Sequence, residues 1–121
     1  YGNRQNSNGP VGYIHNGADD NASGVATLLE VIDALTHMDY RPQRSILFAF
    51  WDGEEKGLLG SRYWLAHPTV PIGNVPLMIN IDMVGRMRDS RLEVIGTRLA
   101  YGMRQLLSST RLTCGWTLLG S

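Results

Sequence analysis

The sequence predicts an α/β layered fold, in which helices cover a mainly parallel sheet. Short apolar runs without polar alternation, at residues 46–51 and 77–81, are what strands buried on both faces require. These runs alternate with stretches of helical spacing, the order expected of helices laid over a sheet. At 121 residues and 43% hydrophobic content, the chain is large enough to build one core.

Residues 1–18 are rich in Gly, Asn and Ser without sustained periodicity, and read as a long loop. From Ala22 the pattern changes. Val25, Leu28, Leu29, Ile32 and Leu35 recur at helical spacing, with Glu30 and Asp33 on the other face, and Tyr40-Arg41-Pro42 ends the helix. Residues 46–51 form the first strand, residues 58–66 a second helix that stops near Pro68, and residues 77–81 the second strand. A weaker strand, interrupted by Glu93, is expected at 92–95, followed by a helix over 98–109. No internal repeat or low-complexity tract is visible.

Eleven Lys and Arg balance eleven Asp and Glu, so the chain lacks the basic footprint of a nucleic-acid or anionic-membrane binder. The lone Cys114 excludes an intrachain disulfide and a cysteine-cage zinc site, and reads as a small buried hydrophobe. The longest apolar stretch, residues 46–51, is far short of the roughly 20 residues that span a bilayer. The chain opens at Tyr1 in a loop-like stretch and reads as a piece of a longer protein.

Six of the eleven acidic residues fall in three short segments: Asp19 and Asp20 before the first helix, Asp52, Glu54 and Glu55 after the first strand, and Asp82 ending the second. Ligands of open α/β sheets bind outside the carboxyl ends of strands, so Glu54, Glu55 and Asp82 are expected at one rim, within reach of Asp20 from its loop. Helix capping competes as an explanation. Asp52-Gly53-Glu54-Glu55 resembles a capping box, and Asp19, Asp20, Asn21 and Ser23 are all suitable caps. Capping does not account for Asp82, whose strand should be buried, where an unpaired charge costs several kcal/mol. Gathered carboxylates repel one another, and a divalent cation relieves that repulsion. Oxygen ligands alone favour Mg or Mn and phosphoryl chemistry, whereas added imidazoles favour Zn and hydrolysis. His15, His37 and His67 read as surface or capping residues, so spacing alone leaves a metal-dependent hydrolase and a phosphotransferase both open.

Three stretches narrow the choice: residues 16–24 (Asn-Gly-Ala-Asp-Asp-Asn-Ala-Ser-Gly), residues 50–61 (Phe-Trp-Asp-Gly-Glu-Glu-Lys-Gly-Leu-Leu-Gly-Ser) and residues 80–85 (Asn-Ile-Asp-Met-Val-Gly). In order and surroundings they resemble the di-zinc aminopeptidases grouped with bacterial leucyl aminopeptidase and glutamate carboxypeptidase. The resemblance implies the zinc-exopeptidase α/β sandwich, two zinc ions per complete domain and a peptide substrate cleaved at its N-terminal bond. Carried onto matching positions, it makes Asp20 the carboxylate that bridges both metals, Glu55 a ligand of one and Asp82 a ligand of the other. Glu54 becomes the general base, acting on a water shared by the metals. A cis peptide between Asp20 and Asn21 is implied as well.

Family members also carry a His-x-Asp strand end shortly before the first motif and a further His well downstream; neither occurs in these 121 residues. The resemblance therefore implies that residues 1–121 are part of one zinc-peptidase catalytic domain, incomplete at both ends and inactive alone. It also favours a secreted or periplasmic location. Glutaminyl cyclase of the same fold and a non-catalytic interaction domain are the competing readings. Asp20-Asn21 and Glu55-Lys56-Gly57-Leu58 followed by Gly60-Ser61 fit the peptidase pattern better, and an interaction domain would tend to have lost ligands.

Overall fold

In the computed structural model the described residues are 12–39, 41–86, 89, 91–97, 101–114 and 117–119. Helix α1 spans Ala22–His37 and contains the whole apolar stripe read from the sequence. Its N-cap is Asn21, whose side-chain oxygen accepts a hydrogen bond from the Gly24 amide at 2.9 Å, satisfying one of the amides that a first turn leaves open. The helix ends before Met38, whose backbone is extended (φ −75°, ψ 138°) although its amide still reaches the Ala34 carbonyl at 2.9 Å. That is a few residues earlier than Pro42 required. Tyr40 and residues 1–11 lie outside the described residues.

A 3-10 turn, Glu54–Lys56, precedes helix α2, Leu59–Ala66. Asp52, the capping residue read from the sequence, is not the N-cap of α2. The residue before α2 is Leu58, in the left-handed region (φ 60°) and without a side-chain cap, while the Asp52 carboxylate accepts from the neighbouring Gly53 amide at 2.7 Å. The chain spends residues 54–58 on its own tight turn, so helix α2 starts too late for Asp52 to cap it.

Residues 46–51 and 77–81 carry no strand pairing among the described residues, and they are not buried. Met78 is 76% exposed and Ile79 70%, while Ile46, Leu47, Phe50 and Trp51 stand about half exposed. Among the described residues no sheet includes these runs, and strands covered on both faces remain an expectation for the complete domain. Such burial needs neighbouring strands on each side and a layer above and below, and the described elements supply neither. The stripe of α1 is similarly open, with Val25 and Leu29 exposed.

The chain divides into two units, Tyr1–Met83 and Val84–Ser121. In the second, strand β1 (Arg91–Glu93) is followed by helix α3 (Met103–Cys114) and strand β2 (Thr117–Leu119). The strands pair in parallel, Leu92 facing Leu118. This is a strand-helix-strand unit, with β2 not foreseen from the sequence. Helix α3 starts later than expected because Gly102 takes a left-handed φ of 80°, which a helix interior excludes; the Gly102 carbonyl then accepts from Leu106. Residues 98–100 of the expected helix lie outside the described residues. No helix among the described residues is long and apolar enough to cross a membrane.

Within the first unit, Gly24 marks a place where distant segments meet. Gly24, the buried residue of α1, lies against both Asn21 and the Ile81 carbonyl: a Cβ there would meet the Asn21 side-chain oxygen at 2.5 Å and the Ile81 oxygen at 2.6 Å. Alanine is the better helix former by about 1 kcal/mol, so helix propensity alone would make Gly24→Ala stabilising. The close approach reverses the sign. Gly24→Ala in the full-length protein is expected to lower the melting temperature, with a net loss of about 1–3 kcal/mol typical of overpacking. A thermal melt at or above the parent's would show that Ile81 is not held against α1.

Candidate metal centre

Asp20 sits in the turn that leads into α1, and its peptide bond to Asn21 is cis, as the motif implied. The turn closes on itself: the Ala22 amide donates to the Gly17 carbonyl at 3.0 Å, and the Ser23 hydroxyl donates to the Asp19 carbonyl at 2.6 Å. Gly17 is needed there, with φ 66° and a position where a Cβ would stand 2.7 Å from the Asp20 carbonyl oxygen. The Asp20 side chain is left on the exposed side of this turn.

Asp82 lies between two residues held by the same side chain. The Asn21 Nδ2 donates to the Ile81 carbonyl at 2.9 Å, and the Met83 amide donates to Asn21 Oδ1 at 3.3 Å. The turns carrying Asp20 and Asp82 are thereby brought together, although 62 residues separate Asn21 from Met83.

Glu54 and Glu55 open the 3-10 turn. The Glu54 carbonyl accepts from Gly57 at 2.9 Å and from Leu58 at 2.8 Å, and the Lys56 amide reaches the Gly53 carbonyl at 3.3 Å. With three residues per turn, adjacent side chains diverge by about 120°, so two consecutive glutamates face different directions. The base of the turn is held against α2. Leu59 donates to Gly53 at 3.1 Å and Gly60 to Asp52 at 2.9 Å, while the Trp51 and Trp64 rings pack tilted with centroids 5.7 Å apart. Gly60 permits this approach, since a Cβ would fall 2.7 Å from the Asp52 carbonyl oxygen.

Asp20, Glu54, Glu55 and Asp82 are all exposed. Among the described residues, no three His, Cys, Asp or Glu side chains are grouped so as to hold a metal, so Asp20, Glu55 and Asp82 do not form a closed cluster here. Like charges disfavour such a grouping unless a cation accompanies it. An open depression of about 440 Å³, lined by Leu35, Pro42, Arg44 and Ile46 among others, contains none of the four carboxylates.

Two histidines serve helix ends, as the sequence suggested. His37 Nδ1 lies 2.9 Å from the Asp33 carbonyl in the last turn of α1, and His67, after α2, stacks on Tyr63 at 4.5 Å. His15 lies in the preceding loop. The residue that sequence reasoning undervalued is Asn21, read only as a cap. Its signal was the glycine three residues on, in the first turn of a helix where glycine is otherwise unfavourable.

The chain is 39% identical over 111 residues to a probable zinc metalloprotease of Pyrenophora tritici-repentis, covering 90% of this chain and 24% of that protein. It is 34% identical over 70 residues to leupeptin-inactivating enzyme 1 of Streptomyces exfoliatus (57% of this chain, 16% of that protein). A probable leucine aminopeptidase 2 of Aspergillus oryzae is 36% identical over 69 residues, covering 56% of this chain and 14% of that protein. The chain thus spans about a quarter or less of the length of these curated relatives. No solved structure matches it significantly. Residues 5–119 match Peptidase family M28, a stretch that includes all three carboxylate motifs, and the chain belongs to that family.

Proposed function

We infer that the protein is a zinc-dependent aminopeptidase that hydrolyses the N-terminal bond of a peptide, with Asp20, Glu55 and Asp82 as zinc ligands and Glu54 as general base. The complete domain in this reading is an α/β sandwich on a mixed, mainly parallel sheet, and the β1-α3-β2 unit is consistent with it. The observation that carries the reading is the pairing of the Asp20 and Asp82 turns through Asn21, within a family match that spans both. The names of the relatives, zinc metalloprotease and leucine aminopeptidase, support zinc and cleavage from the N-terminus.

The donor set fits. Three carboxylates on exposed turns offer oxygens that zinc accepts at about 2.0–2.2 Å. Carboxylates alone suit harder ions, so selectivity for zinc in this reading depends on the imidazoles that the resemblance adds to the set. Two zinc ions, when bound, lower the pKa of water and polarise the scissile carbonyl. The protein's own work is then proton transfer and placement. Asp20, Glu55 and Asp82 would hold the metal from three separate segments of the chain. Glu54, diverging from Glu55 on the same turn, takes the proton of the attacking water and returns it to the leaving amine.

Three outcomes test the reading in the full-length protein. Chelation is expected to abolish hydrolysis of aminoacyl-nitroanilides, and added zinc to restore it. Glu54→Gln is expected to retain zinc, measured by metal analysis, while kcat falls at least about a hundredfold, in the range for loss of a general base. Glu55→Ala is expected to lose zinc instead. A Glu54→Gln protein without zinc, or fully active, would show the two adjacent roles to be misassigned.

A further inference from the structure

We propose that Asn21 is a positioning residue whose carboxamide sets the spacing between Asp20 and Asp82, a role distinct from its cap on α1. The inference rests on the metal-site reading above and adds the device that holds two of its ligands in register.

One hydrogen bond is enough for the cap, and Gly24 provides it at 2.9 Å. The other two reach across the chain to the residues on either side of Asp82: the Ile81 carbonyl accepts from Nδ2 at 2.9 Å, and the Met83 amide donates to Oδ1 at 3.3 Å. A carbonyl and an amide two residues apart are the groups that one residue of a parallel strand takes from its neighbour. Asn21 thus imitates a strand residue with its side chain and brackets Asp82. Because Asp20 precedes Asn21 in the chain, the bracket ties both carboxylate-bearing backbones to one rigid amide. Metal ligands must be held within about 0.5 Å of their productive positions, and ligands on separate segments 62 residues apart drift unless something joins them.

The chemistry selects the side chain. A carboxamide offers a donor and an acceptor on two separate atoms bonded to one carbon, so a single short group can meet a carbonyl and an amide at once. Serine at this position still caps a helix well, but it has one oxygen on a shorter reach and cannot bracket Asp82. Asn21→Ser therefore separates the two roles.

The test compares metal-free full-length protein with its Asn21→Ser variant by zinc competition against a chelator, far-UV circular dichroism and thermal melting, and kinetics at saturating zinc. The variant is expected to keep its helix content and melt within a few degrees of the parent. Its zinc affinity is expected to fall about 10- to 100-fold, the range for residues that orient ligands. At saturating zinc, kcat should fall while KM stays unchanged. Amide exchange on the metal-free parent gives a readout that needs no variant, since the Met83 amide should be protected. Rapid exchange at Met83, or equal zinc affinity in parent and variant, would overturn the proposal alone. A parent that binds no zinc would overturn the metal-site reading, and the role of Asn21 at that site with it.

Discussion

One side-chain amide sets how two distant turns of the first unit meet. Asn21 caps α1 and grips the backbone at Ile81 and Met83, so that one carboxamide ties the turn before α1 to the segment of the second apolar run. Its placement demands a helix whose first turn carries no side chain on that face. Gly24 meets the demand at the cost of helix propensity, and the residue is buried where most of its neighbours are open.

The glutamate turn obeys the same principle through other atoms. Backbone bonds from Leu59 and Gly60 close the turn onto residues 52 and 53, and the absent side chain of Gly60 lets α2 approach. Tryptophan packing between Trp51 and Trp64 fixes the direction in which the apolar run meets the helix. Both candidate turns are therefore built from local hydrogen bonds and glycine contacts rather than from a filled core. Such turns keep their shape even where the hydrophobic surface around them is uncovered.

The two apolar runs show the opposite dependence. Residues 46–51 and 77–81 have the composition of interior strands, yet they stand half open, because a strand becomes one only through neighbours that accept its hydrogen bonds and cover its faces. The β1-α3-β2 unit has such a neighbour within the chain and pairs accordingly. Local periodicity sets what a segment can be, and partners decide whether it is.

By itself the sequence determined the helices α1 and α2 to within a few residues, a set of candidate caps that includes Asn21, and the three carboxylate motifs, which lie within the match to Peptidase family M28. These are all local properties, written in spacing of about 3.6 residues or in the chemistry of a few adjacent groups. Only the tertiary structure decided that Asp52 does not cap α2, that Gly102 delays α3, that β2 pairs with β1, and that Asn21 reaches across to residues 81 and 83. The last two depend on where a second backbone segment lies. A hydrogen-bonding side chain can satisfy itself in several ways, and which partner it takes is fixed by the approach of a chain distant in sequence, to which local periodicity is blind.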